Sequence, residues 1–353
     1  MRRKSRAVKI GNVTVGGGAP ISVQSMTKTD TKDVARTVRQ IRALEKEGCE
    51  IIRVAVQDKE SACALARIKK KVHIPVVADI HFNYRLAIDA AKNGADCVRL
   101  NPGNIYRQDE IKKVAREAAS RHIPIRIGIN SGSVKPKNNS RNVDARTMVE
   151  SGVRYMRTLE KLSFRDIIIS LKASSVQMTI KAYELMGKAC DYPFHLGVTA
   201  AGSPGPGVIK SAVGIGALLW SGIGDTIRVS LTGNPKEEVR TAYGILASLG
   251  LREKGPDIIS CPTCGRCRVN LIKIVKEVEK QLKKLHLEDK LTGVKVAIMG
   301  CPVNGPGEAR EADIGIACGS GAGALFKKGR ITRKVSDKNI VSSLISELQN
   351  LDK

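Results

Sequence analysis

The stretch "PVVADIHFNYRLAIDAAKNGADCVRLNPG", residues 75–103, decides the fold. It opens with an apolar run, PVVADIH from Pro75, that suits a strand buried on both faces. From Asn83, NYRLAIDAAKNG puts apolar residues at helical spacing. It stops at Gly94, a residue suited to the left-handed position past a helix end. CVRLNPG from Cys97 is a second short apolar run. Strand, helix and strand follow one another without a gap.

The same alternation extends in both directions. Further strand candidates are ISVQSMT from Ile21, CEIIRVAV from Cys49, PIRIGIN from Pro124, DIIISLKAS from Asp166, PFHLGVT from Pro193 and DTIRVSL from Asp225, which makes eight. Between them lie helical patterns such as DVARTVRQIRALEKEG from Asp33 and PKEEVRTAYGILASLG from Pro235, each closing on Gly. Eight units over roughly 230 residues match a (β/α)₈ TIM barrel. An open doubly wound sheet fits less well, because no G-x-G-x-x-G opens the first helix. The expected class is α/β, with a substrate-binding barrel over residues 1–253 and a small α+β domain over 254–353. In the second part LREKGPDII reads as a linker. A charged helix starts near Val269, and VKVAIMG, ADIGIACG, GALFKKG and RITRKV read as an antiparallel sheet.

Composition bounds the function. With 353 residues and 42% hydrophobic content the chain buries a real core, carried by aliphatic residues because aromatics are only 3%. The net charge of +26 fits a solvated basic surface, an anionic ligand, an acidic protein partner or nucleic acid. Sparse aromatics argue against a single-strand nucleic-acid platform. The basic N-terminus lacks the apolar core of a signal peptide, and no apolar run is long enough to span a membrane. The chain therefore reads as cytoplasmic, with no nucleic-acid or membrane partner. Nine cysteines then suggest buried thiols and metal ligands rather than disulfides.

Barrel enzymes act at the C-terminal ends of their strands. The polar residues expected there include Arg53, Asp79, His81, Arg99, Arg126, Asn130, Lys172, His195, Arg228 and Ser230. A charge inside a buried strand is costly unless paired. The strands offer few acids, chiefly Glu50, Asp79, Asp166 and Asp225. The surplus of cations points to a polyanionic ligand, most simply a phosphate or diphosphate. His81 and His195 fit structural and catalytic roles equally.

Downstream, SCPTCGRC places Cys261, Cys264 and Cys267 at metal-ligand spacing, and Cys301 opens the turn-rich stretch CPVNGPGEA ending near Glu308. These cysteines suit zinc or an iron–sulfur centre. Cys49, Cys63, Cys97, Cys190 and Cys318 read as small buried hydrophobes.

Taken in order, PISVQSMT, ADIHF, VRLNPGN, RIGINSGS, KASS, HLGVT, IKSAVGIG, DTIRVSLTG, SCPTCGR and GCPVNGPGEA resemble the 4-hydroxy-3-methylbut-2-enyl diphosphate synthases of the non-mevalonate isoprenoid pathway. The resemblance covers nearly the whole chain. It implies an oxidoreductase that opens 2-C-methyl-D-erythritol 2,4-cyclodiphosphate and removes water with two electrons. It implies one 4Fe-4S cluster per subunit on Cys261, Cys264, Cys301 and Glu308, with Cys267 outside the ligand set. Glu308 would be the labile, catalytic ligand. Arg53, Arg99, Arg126, Asn130, Lys172, Arg228 and Ser230 would bind the diphosphate. Ferredoxin or flavodoxin would supply electrons, and two subunits would form a homodimer. One position departs from the pattern: Ala200 stands where the family carries Glu, and SPGPG follows it. That implies a proton from elsewhere or a slower enzyme. Two other readings are a barrel enzyme for phosphorylated pterin-like substrates with a structural metal domain, and a basic zinc protein that binds nucleic acid. Iron content separates both from the first.

Overall fold

The computed structural model describes residues 1–134, 143–301, 307 and 311–351. The chain divides into two compact units, Met1–Arg252 and Glu253–Lys353.

The first unit begins with a hairpin, β1 (Val8–Ile10) and β2 (Val13–Val15). Eight strands follow: β3 (Ser22–Met26), β4 (Ile51–Val56), β5 (Val76–Ile80), β6 (Cys97–Leu100), β7 (Ile125–Asn130), β8 (Ile167–Lys172), β9 (His195–Leu196) and β10 (Thr226–Ile227). They pair in parallel in the order β8-β7-β6-β5-β4-β3-β10-β9, and a parallel bridge from Ile169 to Phe194 joins the two ends. This is the barrel expected from the alternation, and all eight strand candidates fall on its strands.

Each strand leads into a helix on the outside. α1 (Val34–Lys46), α2 (Lys59–Lys69), α3 (Tyr84–Lys92) and α4 (Gln108–Ser120) come first. α5 (Ala145–Lys161), α6 (Val176–Ala189), α7 (Pro204–Trp220) and α8 (Pro235–Ser248) complete the ring. Most starts are fixed chemically. Asp33, Asp58, Asn83, Asp144, Ser175 and Asn234 each accept a bond from a backbone N–H of the first turn. Such a cap is worth about 0.5–2 kcal/mol. The inner helix faces are rich in small side chains, such as Ala87, Ala90 and Ala91 on α3, which lets helices lie close to the sheet without aromatics. Each aliphatic side chain buried in this core contributes about 1.5–3 kcal/mol relative to exposure.

The N-terminal segment has a structural task that its basic composition did not reveal. Val8, Ile10 and Val15 pack with Ile51, Val77, Cys97 and Ile168, so the hairpin seals the barrel beside the starts of β4 and β6. Asp225 accepts bonds from Ser5 Oγ at 2.8 Å, Arg2 Nη2 at 3.2 Å and the backbone N–H of Phe194 at 2.8 Å. The Arg3 guanidinium lies 3.9 Å over the Phe194 ring. These contacts strap the two shortest strands, β9 and β10.

The second unit holds β11 (Asp257–Ser260), α9 (Leu271–Lys284), β12 (Lys295–Met299), β13 (Ile314–Cys318), β14 (Ala322–Lys327) and β15 (Arg330–Ser336), then a helix over Ile340–Gln349. Its five-stranded sheet runs β11-β12-β13-β14-β15. The antiparallel expectation is corrected here: β11–β12 and β12–β13 pair in parallel, and only the last two pairings are antiparallel. β12 and β13, two of the strand candidates, are themselves parallel, and β11, which lies in the stretch read as a linker, adds the second parallel pairing. With α9 as its crossover, β11 runs parallel to β12, as such a connection requires. α9 buries Leu271, Val278 and Leu282 and turns its lysines to solvent. Among the described residues no helix is long and apolar enough to cross a membrane.

Candidate active site

Register brings the barrel's charged residues together. Asp79 on β5 stands beside Arg99 on β6, and Arg99 beside Arg126 on β7. Arg99 donates from Nη1 to Asp79 Oδ1 at 3.1 Å and from Nη2 to Gly128 O at 2.7 Å. Arg53 Nε lies 3.7 Å from Asp79 Oδ2, and His81 Nε2 lies 3.4 Å from the same oxygen. Burial alone would raise the Asp79 carboxyl, but Arg53, His81 and Arg99 hold it well below the usual carboxylate range. Two glycines make room for the cations. A Cβ on Gly128 would fall 2.0 Å from Arg99 Nε, and one on Gly197 would fall 2.7 Å from Lys172 Nζ.

Among the described residues, Asp79 is the carboxylate within ion-pair distance of any of Arg53, Arg99, Arg126, Lys172 and Arg228. The other acids read from the strands lie elsewhere, Asp166 exposed just before β8. Asp225 holds the N-terminus, and Glu50 Oε2 lies 2.6 Å from Arg252. The cations are therefore not neutralised one by one. Arg126 Nε and Nη2, Lys172 Nζ, Arg228 Nε and both ring nitrogens of His195 are buried with no protein hydrogen-bond partner. Such groups cost free energy unless a ligand satisfies them. Burial, reinforced by Arg228 and Arg53, holds the Lys172 ammonium well below its ordinary value. Burial and Lys172 push His195 down in the same way, toward the neutral ring.

Asn130 ends β7 in register with Lys172 at the end of β8, and Ser230 lies two residues past Arg228, beyond β10. His81 is half-exposed just past β5, whereas His195 is completely buried at the start of β9. Two neighbours of the cations were not singled out from sequence. Met26 Sδ lies 3.1 Å from Arg53 Nε, and Gln24 Oε1 accepts from Arg126 Nη1 at 2.6 Å. The available signal was a polar Gln inside the otherwise buried strand ISVQSMT.

In the second unit the cysteines gather at the carboxyl ends of parallel strands. Cys261 directly follows β11, and Gly300 and Cys301 follow β12. Ser260 and Ile298 are register partners, so the two loops leave side by side. The Gly300 N–H donates to Cys261 Sγ at 3.3 Å, and a Cβ on Gly300 would fall 2.4 Å from Cys267 Sγ. Cys264 is exposed, and hydrogen bonds from the Arg266 backbone and side chain lower its thiol pKa. Thiolate is the metal-binding form. Glu308 lies outside the described residues. Among the described residues, no three His, Cys, Asp or Glu side chains converge closely enough to hold a metal ion. The donor chemistry nonetheless fits an iron–sulfur group: four soft thiols on adjoining loops, a backbone N–H on sulfur, and a glycine where any side chain would intrude. Cys63 corrects the expectation of a buried thiol, because it is exposed on α2, and Cys190 is only half-buried.

Residues 5–243 match the family model described as the GcpE TIM-barrel domain, and residues 257–350 match the GcpE protein C-terminal domain. The chain belongs to the GcpE family. It is 54% identical over 355 residues to the 4-hydroxy-3-methylbut-2-en-1-yl diphosphate synthase (flavodoxin) of Caldanaerobacter subterraneus subsp. tengcongensis, covering 100% of this chain and 99% of that one. It is 54% identical over 352 residues to the protein of the same name from Ruminiclostridium cellulolyticum, covering 99% and 98%. Among solved structures, the dihydropteroate synthase of Stenotrophomonas maltophilia aligns with a TM-score of 0.54 at 13% identity, over 70% of this chain and 97% of that one. That likeness shows the fold alone. GcpE membership makes the chain an oxidoreductase of isoprenoid biosynthesis with an iron–sulfur cofactor.

Proposed function

We propose that this protein reductively opens 2-C-methyl-D-erythritol 2,4-cyclodiphosphate to (E)-4-hydroxy-3-methylbut-2-enyl diphosphate. Counted on fully protonated phosphates, two electrons and two protons enter and one water leaves. The observation that carries this reading is a set of five barrel cations of which, among the described residues, only Arg53 and Arg99 pair with a carboxylate, Asp79, with buried donors that lack protein acceptors. A diphosphate supplies both the negative charge and the acceptor oxygens. In this reading residues 1–253 bind the substrate through Arg53, Arg99, Arg126, Asn130, Lys172, Arg228 and Ser230. Asp79 keeps Arg53 and Arg99 in place, and His81 steadies Asp79.

Residues 254–353 hold the cofactor, one 4Fe-4S cluster per subunit on Cys261, Cys264, Cys301 and Glu308, and it supplies the electrons when bound. Cys267 stays outside the ligand set in this reading, and its Sγ–H donates to Val269 O at 3.2 Å. The Gly300 N–H stabilises negative charge on the Cys261 sulfur.

Protons test the cation site. Lys172 has a pKa lowered by burial and then by Arg228 and Arg53, and a bound anion opposes that lowering by favouring the charged ammonium. Diphosphate binding is therefore expected to take up protons, and affinity should fall as pH rises through the pKa of the complex. Calorimetry of inorganic diphosphate in buffers of different ionisation enthalpy reads the uptake. Equal proton exchange in the unaltered protein and in Lys172→Met would remove Lys172 from the site.

The relatives named above carry flavodoxin in their names, and the donor here is an acidic carrier of that kind, flavodoxin or ferredoxin. The +26 chain attracts an acidic partner electrostatically, so carrier-driven turnover should slow as salt rises. A salt-independent rate would count against such docking. The protein works as a cytoplasmic homodimer that needs neither nucleic acid nor a membrane. α7 suits the contact. It exposes Ile209, Val213 and Trp220 along one face and carries a single charged residue, Lys210. Two strongly cationic copies can approach there without burying many like charges. Sedimentation velocity is the check.

A further inference from the structure

β3 and β7 stand four strands apart in either direction around the ring, so they face each other across the barrel. The bond from Arg126 Nη1 to Gln24 Oε1 spans that interior. Both side chains are almost completely buried. A guanidinium has no acceptor, so it can only meet the amide oxygen, and this fixes the amide's orientation. Gln24 Nε2 is left buried without a protein acceptor, like Arg126 Nε and Nη2.

The neighbouring arginines are treated differently. Arg53 and Arg99 share the carboxylate of Asp79. Arg126, the most deeply placed of them, is met by a neutral amide. A glutamate of the same length at position 24 would pair with this buried charge and spare much of the cost of an uncompensated cation. Glutamine leaves that stabilisation unused and leaves the charge unspent.

We propose that Gln24 is a positioning residue that holds Arg126 in place across the barrel while keeping its full charge for the ligand's diphosphate. This rests on the reading of the barrel as a diphosphate site. A neutral clamp keeps the surplus of positive charge that distinguishes a diphosphate from a monoanionic ligand.

The test is calorimetric binding of inorganic diphosphate, with melting temperature measured alongside, on the full chain. Gln24→Glu is expected to weaken binding at least about tenfold, because the new carboxylate neutralises Arg126. It should raise the KM of the enzyme by a similar factor with little change in kcat. Its melting temperature should be equal to or above that of the unaltered protein. Gln24→Met keeps the side-chain length and leaves Arg126 charged but unheld. It should lose less affinity than Gln24→Glu and melt lower. Equal affinity in Gln24→Glu and the unaltered protein would overturn the inference. So would a larger affinity loss in Gln24→Met than in Gln24→Glu, since Gln24 would then serve only as packing. If Gln24→Glu does not fold, an affinity in Gln24→Met equal to that of the unaltered protein overturns the inference by itself. Failure of the unaltered protein to bind diphosphate at all would refute the site reading, a different outcome from equal binding by protein and variant.

Discussion

Cys301→Ser is expected to lose most of its iron and all turnover, while Cys267→Ser keeps both. The two residues differ in what surrounds them. Cys301 leaves the end of β12 next to Gly300, whose N–H already points at Cys261 Sγ, so it extends from the same corner of the sheet. Cys267 is close to Gly300 as well and donates to Val269 O, a bond that a serine hydroxyl can keep. Serine is a much harder donor than thiolate and holds iron of a cluster poorly. Anaerobic iron and sulfide analysis with the visible spectrum reads both variants. Loss of the cluster in Cys267→Ser would mean that a fourth cysteine, rather than Glu308, completes the ligand set.

Ala200→Glu is expected to raise kcat by about 10²–10⁴, the usual contribution of a positioned acid or base, and to change KM little. Water leaves in the reaction, so a hydroxyl must be protonated, and a methyl group cannot do this. The position is ready for a longer side chain. Ala200 is exposed, and the preceding Thr199 anchors the loop through its N–H to Ala173 O at 3.1 Å. Ala200 adopts φ +49°, a left-handed conformation that disfavours Ala and Glu alike, so the replacement adds no new backbone strain. His195 is a poor substitute source of protons. It is fully buried, lacks hydrogen-bond partners for both nitrogens, and is held neutral by burial and Lys172. A higher KM with no gain in kcat would show instead that the proton arrives by another route and that the new anion only repels the diphosphate.

The barrel was legible because its signal is local and repeated. Eight apolar runs, each punctuated by Gly, Pro or a capping Asp or Asn, leave little choice of topology. The parts that were not legible depend on distant pairing. The three-residue strands of the hairpin are too short to show periodicity, and their role comes from packing against Ile51 and Cys97. β11 is a four-residue edge strand with exposed ends, which reads as a linker until its crossover to β12 is seen.

The candidate site divides in the same way. The cations could be found one by one, since charge inside a buried strand is conspicuous. Their partners could not. Four acids could be counted in the strands, but Glu50 and Asp225 turn to Arg252 and the N-terminus and Asp166 is exposed before β8, which among the described residues leaves Asp79 beside the cations. Gln24 was hidden because its meaning lies in facing Arg126 across the barrel, a relation that the spacing along the chain does not contain.

The central claim is that this chain reductively opens a cyclic diphosphate. Its most direct test is anaerobic incubation of the iron–sulfur-loaded protein, and of its Ala200→Glu variant, with 2-C-methyl-D-erythritol 2,4-cyclodiphosphate and dithionite. Products are identified by mass spectrometry and phosphorus NMR. The account predicts (E)-4-hydroxy-3-methylbut-2-enyl diphosphate at two electrons per molecule, formed faster by the variant. Recovery of the cyclic diphosphate unchanged from both loaded, reduced proteins would contradict it.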